Sequence, residues 1–434
     1  MKFILVYEVN NREFANMELL KRELIRRGHT VKIKNKTESM VLSFKADAML
    51  VPNSYNKQNL DNYRYIFNSN GNPVINYPCE QLIHRTLPNF YDKSPSNPVK
   101  KMHTLCWGDE YYDFICSEGN EKTRCYITGA IQLDYCRKEF YSMYLSKHEL
   151  SVEYGIHENK KWILFISDFV YVDRSYTDFF INANVTSREI LENEHQFQIK
   201  SQKEILSWFD QLLSTSEEYV IIYRKHPNEI ISKDIIDFQR KHFDSFYQIG
   251  ELSIRNWIVI CDFILNYNST SGAECAAAGK NNAIMRPYAF TNDIKFKEQE
   301  INKNSYRITN CQELLMYLEK SIDADLARDS ISEYYSITDT PSFIRVADAI
   351  EKVAGESPTK PESNFFIKRW VYLFKKMVIP KILIKKIYKT LFIVFHFSES
   401  KSRSVGEWQK TAMNYKNEKK MAKQLDEIII KHYS

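Results

Sequence analysis

The stretch LNYNSTSGAECAAAGKNNAIMR, Leu265–Arg286, decides how the chain is read. An apolar run, CDFILN, leads into Asn268-Ser269-Thr270-Ser271-Gly272, then an alanine-rich segment with a lone Glu274, then the apolar NNAIMRP. Strand, loop, helix and strand in this order make a βαβ unit, and such units build parallel sheets. A turn needs one or two small polar residues, so the surplus has a second use. At the carboxyl end of a strand, Ser and Thr hydroxyls and free backbone N–H groups suit an anion. Gly272 lets a ligand come close to the backbone, and Glu274 is placed to accept from a sugar hydroxyl. A plainer reading has Thr270 or Ser271 capping the helix and Glu274 completing a capping box. That accounts for only part of the run.

Outward from this stretch, the same half shows the strand WILFISDF, the amphipathic helix QKEILSWFDQLLS and the strand YVIIYRKHP. FYQIG is a further short strand and SIRNWIVI a helix. YVIIYRKHP ends in Arg224-Lys225-His226-Pro227, and Pro227 stops the strand. Ligands of parallel sheets gather at carboxyl strand ends, so these three potential cations face a ligand in this reading. Arginine and lysine suit phosphate charge, and histidine can donate to a leaving oxygen. The alternative is a solvated basic strand end.

The first half has the same rhythm. KFILVY reads as a strand, Phe14–Arg27 as a helix ended by Gly28, and HTVKIK and ADAMLVP as the next strands. PVINYPCEQ and RCYITGA are shorter strands, and LPNFYDKSPSNPVKK is an exposed loop. The expected division is a first α/β lobe over 1–150, a second over 151–353, a linker over 354–364 and a tail over 365–434. From Phe365 to Phe397 the tail carries Lys368, Arg369, Lys375, Lys376, Lys381, Lys385, Lys386 and Lys389 and no acid. Interleaved with Trp370, Tyr372 and Phe374, these suit a basic amphipathic helical segment, split at Pro380, lying on an anionic membrane surface. The alternative is a pair of helices packed on the lobes.

Composition closes off other classes. A net charge of +5 over 434 residues gives no general field for nucleic acid. Hydrophobic and aromatic contents of 44% and 14% are those of a chain with a sizeable core. The eight cysteines show no CxxC pair and no zinc-like grouping, and read as free thiols in a reducing cytoplasm. MKFILVYEVNN is expected to be a first strand and not a signal peptide, and no apolar run reaches the ~18 residues of a spanning helix.

Arg224–Pro227, followed some forty residues on by CDFILNYNSTS, resembles the C-terminal domain of GT-B glycosyltransferases. It resembles especially the bacterial surface-polysaccharide and CDP-glycerol glycerophosphotransferase-like group. The run Ser271, Glu274, Gly279 is similar to the nucleotide-binding loop and helix of GT-B transferases and of UDP-sugar 2-epimerases. NREFANMELLKRELIRRGHTVKI resembles the opening of these proteins, and Trp107-Gly108 followed by Thr128, Gly129 and Asp134 resembles a later segment of their first half. The likeness spans roughly residues 1–350. Asn266-Tyr267-Asn268-Ser269 departs from the Asp-Tyr-Ser-Ser usual in the glycerophosphotransferases, so the donor type stays open.

The resemblance implies two Rossmann-like doubly wound lobes, to which composition adds the C-terminal basic amphipathic helical tail. It implies a metal-independent glycosyltransferase without cofactor, moving a sugar from a nucleotide-sugar donor to a polysaccharide or lipid-linked acceptor; the basic tail adds the expectation of a peripheral place on the cytoplasmic membrane face. His226, Ser269, Thr270 and Ser271 are then expected at the donor phosphates, with Arg224 and Glu274 as helpers; Lys225 and Gly272, read above from the strand end and the loop, complete the expected donor site. The catalytic pair is His226 and a base in the first lobe, with Glu80 preferred over Glu8 and Glu13. Glycerophosphate transfer, sugar-nucleotide 2-epimerisation and a non-catalytic scaffold of polysaccharide assembly are the alternatives.

Overall fold

The computed structural model describes residues 1–36, 46–82, 92–183, 186–295, 300–302, 305–319, 331–356, 363–375 and 415–433. Its strands form two six-stranded sheets in which every pairing is parallel. The first comprises β1 (Lys2–Tyr7), β2 (Thr30–Asn35), β3 (Ala48–Val51), β4 (Val74–Asn76), β5 (His103–Cys106) and β6 (Cys125–Ile127), in the order β2-β1-β3-β4-β5-β6. The second comprises β7 (Lys161–Ile166), β8 (Tyr219–Arg224), β9 (Phe246–Gln248), β10 (Phe263–Asn266), β11 (Asn282–Met285) and β12 (Tyr306–Ile308), in the order β12-β11-β10-β7-β8-β9.

Strands covered by helices on both faces are apolar along their buried length, and after their first lysines β1 and β7 are. Phe3 to Val6 and Trp162 to Phe165 are buried. The two faces of β7 serve different cores. Ile163 and Phe165 pack with Phe209 and Tyr223, while Trp162 and Leu164 pack with Val220 and Trp257. β5 and β12 were not legible in the sequence. HTLC and YRI are too short to show a period, and His103 and Thr104 are polar although buried.

By internal contacts the chain divides into one unit of Met1–Asp134 with Glu333–Ser434, and a second of Tyr135–Ser332. The expected boundaries at 150 and 353 therefore move to 134 and 333, for reasons of packing. The buried carboxylate of Asp134 accepts from the backbone N–H groups of Ser342 (2.9 Å) and Phe343 (2.8 Å). This holds the helix Ser342–Gly355 on the first unit. Arg27 adds ion pairs to Asp348 (2.6 Å) and Glu351 (2.5 Å). Residues after 134 turn to the second unit: Arg255 lies over the Tyr135 ring at 5.3 Å, and Leu145 exchanges hydrogen bonds with Asn256. The Thr128-Gly129 turn has its own reason. Gly129 has φ +78°, and a Cβ there would stand 2.8 Å from the Ser336 carbonyl oxygen.

Two described helices of the tail dock on the first unit. In Phe365–Lys375, Phe365 meets Tyr65 at 5.4 Å and the Arg369 Nε–H donates to the Tyr65 carbonyl at 2.7 Å. In Tyr415–Tyr433, Leu425, Ile428 and Ile429 are buried, Asp426 pairs with Arg22 at 3.1 Å and Tyr433 meets Phe343 at 5.4 Å. The centre of the expected linker and residues 376–414 of the tail lie outside the described residues. No helix among the described residues is long and apolar enough to cross a membrane. All eight cysteines are free thiols.

Candidate functional site in the second unit

The second sheet reverses its winding direction between β7 and β10. In doubly wound sheets a crevice opens outside the carboxyl strand ends at this point. Register sets the level of that edge: Ile166 of β7 is paired with Arg224 of β8 and with Asn266 of β10, and Asn266 with Ile284 of β11. The loops after four adjacent strands thus leave the sheet together, the strand axes about 4.8 Å apart. His226 and Ser269–Ser271, both singled out in the sequence, stand on either side of β7.

The turn after β8 is built around Glu229. Its buried carboxylate accepts from the hydroxyls of Tyr223 (2.5 Å) and Ser167 (2.6 Å) and from the backbone N–H groups of His226 (3.2 Å) and Phe169 (3.3 Å). Burial pushes its pKa up, against the pull of those bonds. His226 Nδ1 accepts from the Asn228 backbone N–H at 3.1 Å, which places the ring hydrogen on Nε2. Burial lowers its pKa, so the imidazole is neutral near pH 7, with no bond to Nε2 among the described residues. A fixed neutral N–H donor is what results.

Arg224 and Lys225 are placed otherwise than expected. The Arg224 guanidinium donates to the carbonyls of Ile249 (3.2 Å), Glu251 (2.5 Å) and Leu252 (2.6 Å), and Lys225 Nζ donates to the Glu229 carbonyl at 3.0 Å. Arg224 therefore clamps the loop after β9, where Leu252 takes a left-handed backbone with φ +62°.

In the loop after β10, the Asn266 side chain makes a closed pair with Ser269, accepting its N–H at 2.6 Å and donating to its carbonyl at 2.9 Å. Ser269 Oγ accepts from the Ser271 N–H and donates to Ser271 Oγ, both at 3.2 Å. Thr270 is exposed, and its hydroxyl is uncommitted among the described residues. No side chain caps the helix Gly272–Ala277, so the plainer capping reading does not describe this loop. That helix is also too short for its dipole to matter much. Gly272 is required by its neighbours: a Cβ would stand 2.7 Å from Asn302 Oδ1 and 3.1 Å from Asn282 Nδ2. Glu274 is largely buried, its carboxylate 3.9 Å from the Arg255 guanidinium. Burial raises its pKa while Arg255 opposes the rise.

Sequence reasoning passed over Asp168, the first residue beyond Ser167 at the end of β7. It is half-buried, and burial, with Glu229 and Glu194 nearby, pushes its pKa well above the carboxylate range. The only signal was its place directly after the run WILFIS at the central strand end. The rings of Phe169 and Tyr267 meet at 4.3 Å, tilted by 39°, and the Arg286 guanidinium lies over Phe290 at 3.9 Å. No group of three or more His, Cys, Asp or Glu suited to a metal occurs among the described residues. The carboxylates expected as bases all belong to the first unit: Glu80 is exposed beyond β4, Glu8 follows β1, and Glu13 is buried behind it.

No family model and no curated protein sequence matches the chain. Solved structures do. A Listeria monocytogenes protein assigned as a UDP-N-acetylglucosamine 2-epimerase aligns with a TM-score of 0.52 at 12% identity, over 83% of this chain and 98% of its own. A second UDP-N-acetylglucosamine 2-epimerase gives a TM-score of 0.51 at 12% identity, over 84% and 99%. The wall teichoic acid polymerase TagF gives 0.47 at 9% identity, over 82% and 89%, too loose to argue from. Identities this low speak to fold alone. With two parallel, doubly wound sheets in succession and these neighbours spanning both, the chain has the GT-B fold.

Proposed function

We propose that this chain is a glycosyltransferase that takes a sugar from a nucleotide-sugar donor bound on its second unit to a hydroxyl of a surface polysaccharide or lipid-linked acceptor. The observation that carries the reading is the pair of loops flanking β7. Neutral His226 offers an oriented Nε2–H on one side, and the Ser269–Ser271 loop offers hydroxyls on the other. Such donors stabilise charge that grows on a diphosphate as it leaves, with no reorganisation at that moment. Glu274 is the candidate for a donor hydroxyl. The solved structures whose names include UDP-N-acetylglucosamine 2-epimerase support a nucleotide-sugar site of this fold, though not the choice of reaction.

Calorimetry with CMP, CDP, UDP and GDP tests the site, with His226→Ala as the comparison. Binding of one nucleotide, weakened about tenfold or more by the substitution, is expected. No binding of any of the four sinks the reading. Conversion of the bound nucleotide sugar to its 2-epimer, without acceptor, would replace transfer by epimerisation.

We place the chain against an anionic membrane surface through Phe365–Lys375. One face of that helix is fixed to the first unit through Phe365 and Arg369. The other exposes Phe366, Ile367, Val371 and Phe374, in a stretch of sequence with eight basic residues and no acid. Apolar side chains with a basic fringe suit a headgroup layer. Removing the whole tail would also strip Tyr415–Tyr433 from the first unit, so substitution is the better test. Full-length Phe366→Ser/Ile367→Ser/Phe374→Ser should lose flotation with phosphatidylserine vesicles. Equal flotation of both chains rejects the placement.

A further inference from the structure

Asp168 stands between the two donor-side loops of the second unit. The ladder of β7 ends just before it. The Ser167 N–H donates to the Arg224 carbonyl at 2.9 Å, and the Tyr267 N–H donates to the Ile166 carbonyl at 3.1 Å. Asp168 is thus the first residue past the central strand, with the His226 turn on the β8 side and the Ser269–Ser271 loop on the β10 side. Both of its chain neighbours bind the buried Glu229 carboxylate, Ser167 through its hydroxyl at 2.6 Å and Phe169 through its N–H at 3.3 Å. Asp168 is held beside Glu229 in this way. Its own half-buried carboxyl group has no hydrogen-bond partner and no ion pair among the described residues.

Two neighbouring carboxylates do not both ionise readily, and the hydrogen-bond donors decide which one does. Glu229 takes the Tyr223 and Ser167 hydroxyls and the His226 and Phe169 N–H groups, whereas Asp168 takes none. The other groups that face Asp168 do not favour its charge either. Glu194, on the helix Arg188–Thr215, is a further acid, and the phenols of Tyr171, Tyr176 and Tyr267 are uncharged near neutral pH. Burial and the two glutamates keep the Asp168 pKa well above the carboxylate range. The group is then a neutral acid, with one O–H to give.

A phosphate between these loops would otherwise meet three acids, while Arg224 and Lys225 are committed to carbonyls. An ionised Asp168 would repel it from the middle of the site. Resting on the transferase reading above, we infer that Asp168 is a donor-binding residue of the second unit, its carboxyl O–H donating to a phosphate oxygen of the bound nucleotide. The loops after β7, β8 and β10 then each give the diphosphate an uncharged donor: Asp168, the His226 Nε2–H and the exposed Thr270 hydroxyl. Hydrogen bonds from a hydroxyl to an anionic oxygen are short and strong, and a carboxylic acid kept neutral by its surroundings supplies one at neutral pH.

The test uses the full chain with UDP-N-acetylglucosamine, UDP-glucose, GDP-mannose and CDP-glycerol as probes. A diphosphate esterified at both ends lacks the phosphate ionisation near pH 6, so the probe itself does not titrate. Infrared difference spectra, bound minus free, should show a carboxylic acid C=O band moved by the nucleotide and missing in Asp168→Asn. Calorimetry should show affinity about tenfold or more weaker in Asp168→Ala. Asp168→Asn keeps an N–H donor and should regain about threefold or more of that loss. Absence of the acid band from the parent overturns the inference, as does an Asp168→Ala affinity within about threefold of the parent. A parent affinity that falls from pH 8 to pH 6, but does not in Asp168→Asn, marks an ionised acceptor and overturns it too. Should Asp168→Ala not fold, the spectra of the parent and Asp168→Asn decide. Each of these failures leaves the transferase reading standing. A parent chain that binds none of the probes overturns that reading, and this inference with it.

Discussion

Arg224 separates two roles that the sequence could not, and its removal is the most telling perturbation. As a phosphate ligand, its loss would weaken nucleotide binding and leave the fold intact. As the structure has it, the guanidinium donates to the carbonyls of Ile249, Glu251 and Leu252. Hydrogen bonds from a charged donor are worth roughly 1.5–3 kcal/mol each when dry. Glu251 and Leu252 are exposed, so water replaces part of what is lost, and about 1 kcal/mol per bond is a fairer figure. The left-handed turn at Leu252 also loses its clamp. Arg224→Ala should therefore destabilise the second unit by about 2–4 kcal/mol. For a unit of this size that is roughly 5–10 °C of melting temperature. Arg224→Lys, with a single ammonium, should recover less than half. Tryptophan fluorescence in urea reads the effect, since Trp162 and Trp257 are buried in the core beneath β7 and β8. An unchanged midpoint with nucleotide affinity lost would refute the clamp and return Arg224 to the ligand.

The other predictions are checked in the same way. Asp134→Ala removes the acceptor for the Ser342 and Phe343 N–H groups, and should cost about 1–3 kcal/mol of first-unit stability, read by urea unfolding. Gly272→Ala forces its methyl against Asn302 and Asn282 and should cost about 1–3 kcal/mol, with weaker nucleotide binding as the loop shifts. For His226, burial depresses the folded pKa, so the unfolded chain binds more protons as pH falls through about 6.5. Its contribution is complete above that pH and is lost below it, and His226→Asn should flatten this part of the stability profile. Asp168 has the opposite sign. Its raised folded pKa means stability falls as pH rises from the ordinary carboxylate value, so Asp168→Asn should raise the melting temperature more at pH 8 than at pH 5.

The sequence by itself determined the layered architecture. Runs such as FILVY and WILFI are apolar at every position, which only a strand covered on both faces requires, and helical periods between them force parallel order. It also located the two donor-side loops, because Pro227 and the surplus of small polar residues after Asn266 are local chemistry. Tertiary structure decided what those residues touch. Arg224 and Lys225 were cations facing a ligand in the sequence, but carbonyls some 25 to 28 residues on claimed Arg224 and the Glu229 carbonyl of its own turn claimed Lys225. Asp134 looked like one residue of a loop motif until the helix Ser342–Gly355 returned to be capped by it. Asp168 and Glu229 carry no pattern of their own, since burial raises the pKa of both and the nearby Glu229 adds to the rise at Asp168. Local periodicity is written in neighbouring residues, whereas burial, charge pairing and hydrogen-bond commitment depend on which distant segments meet.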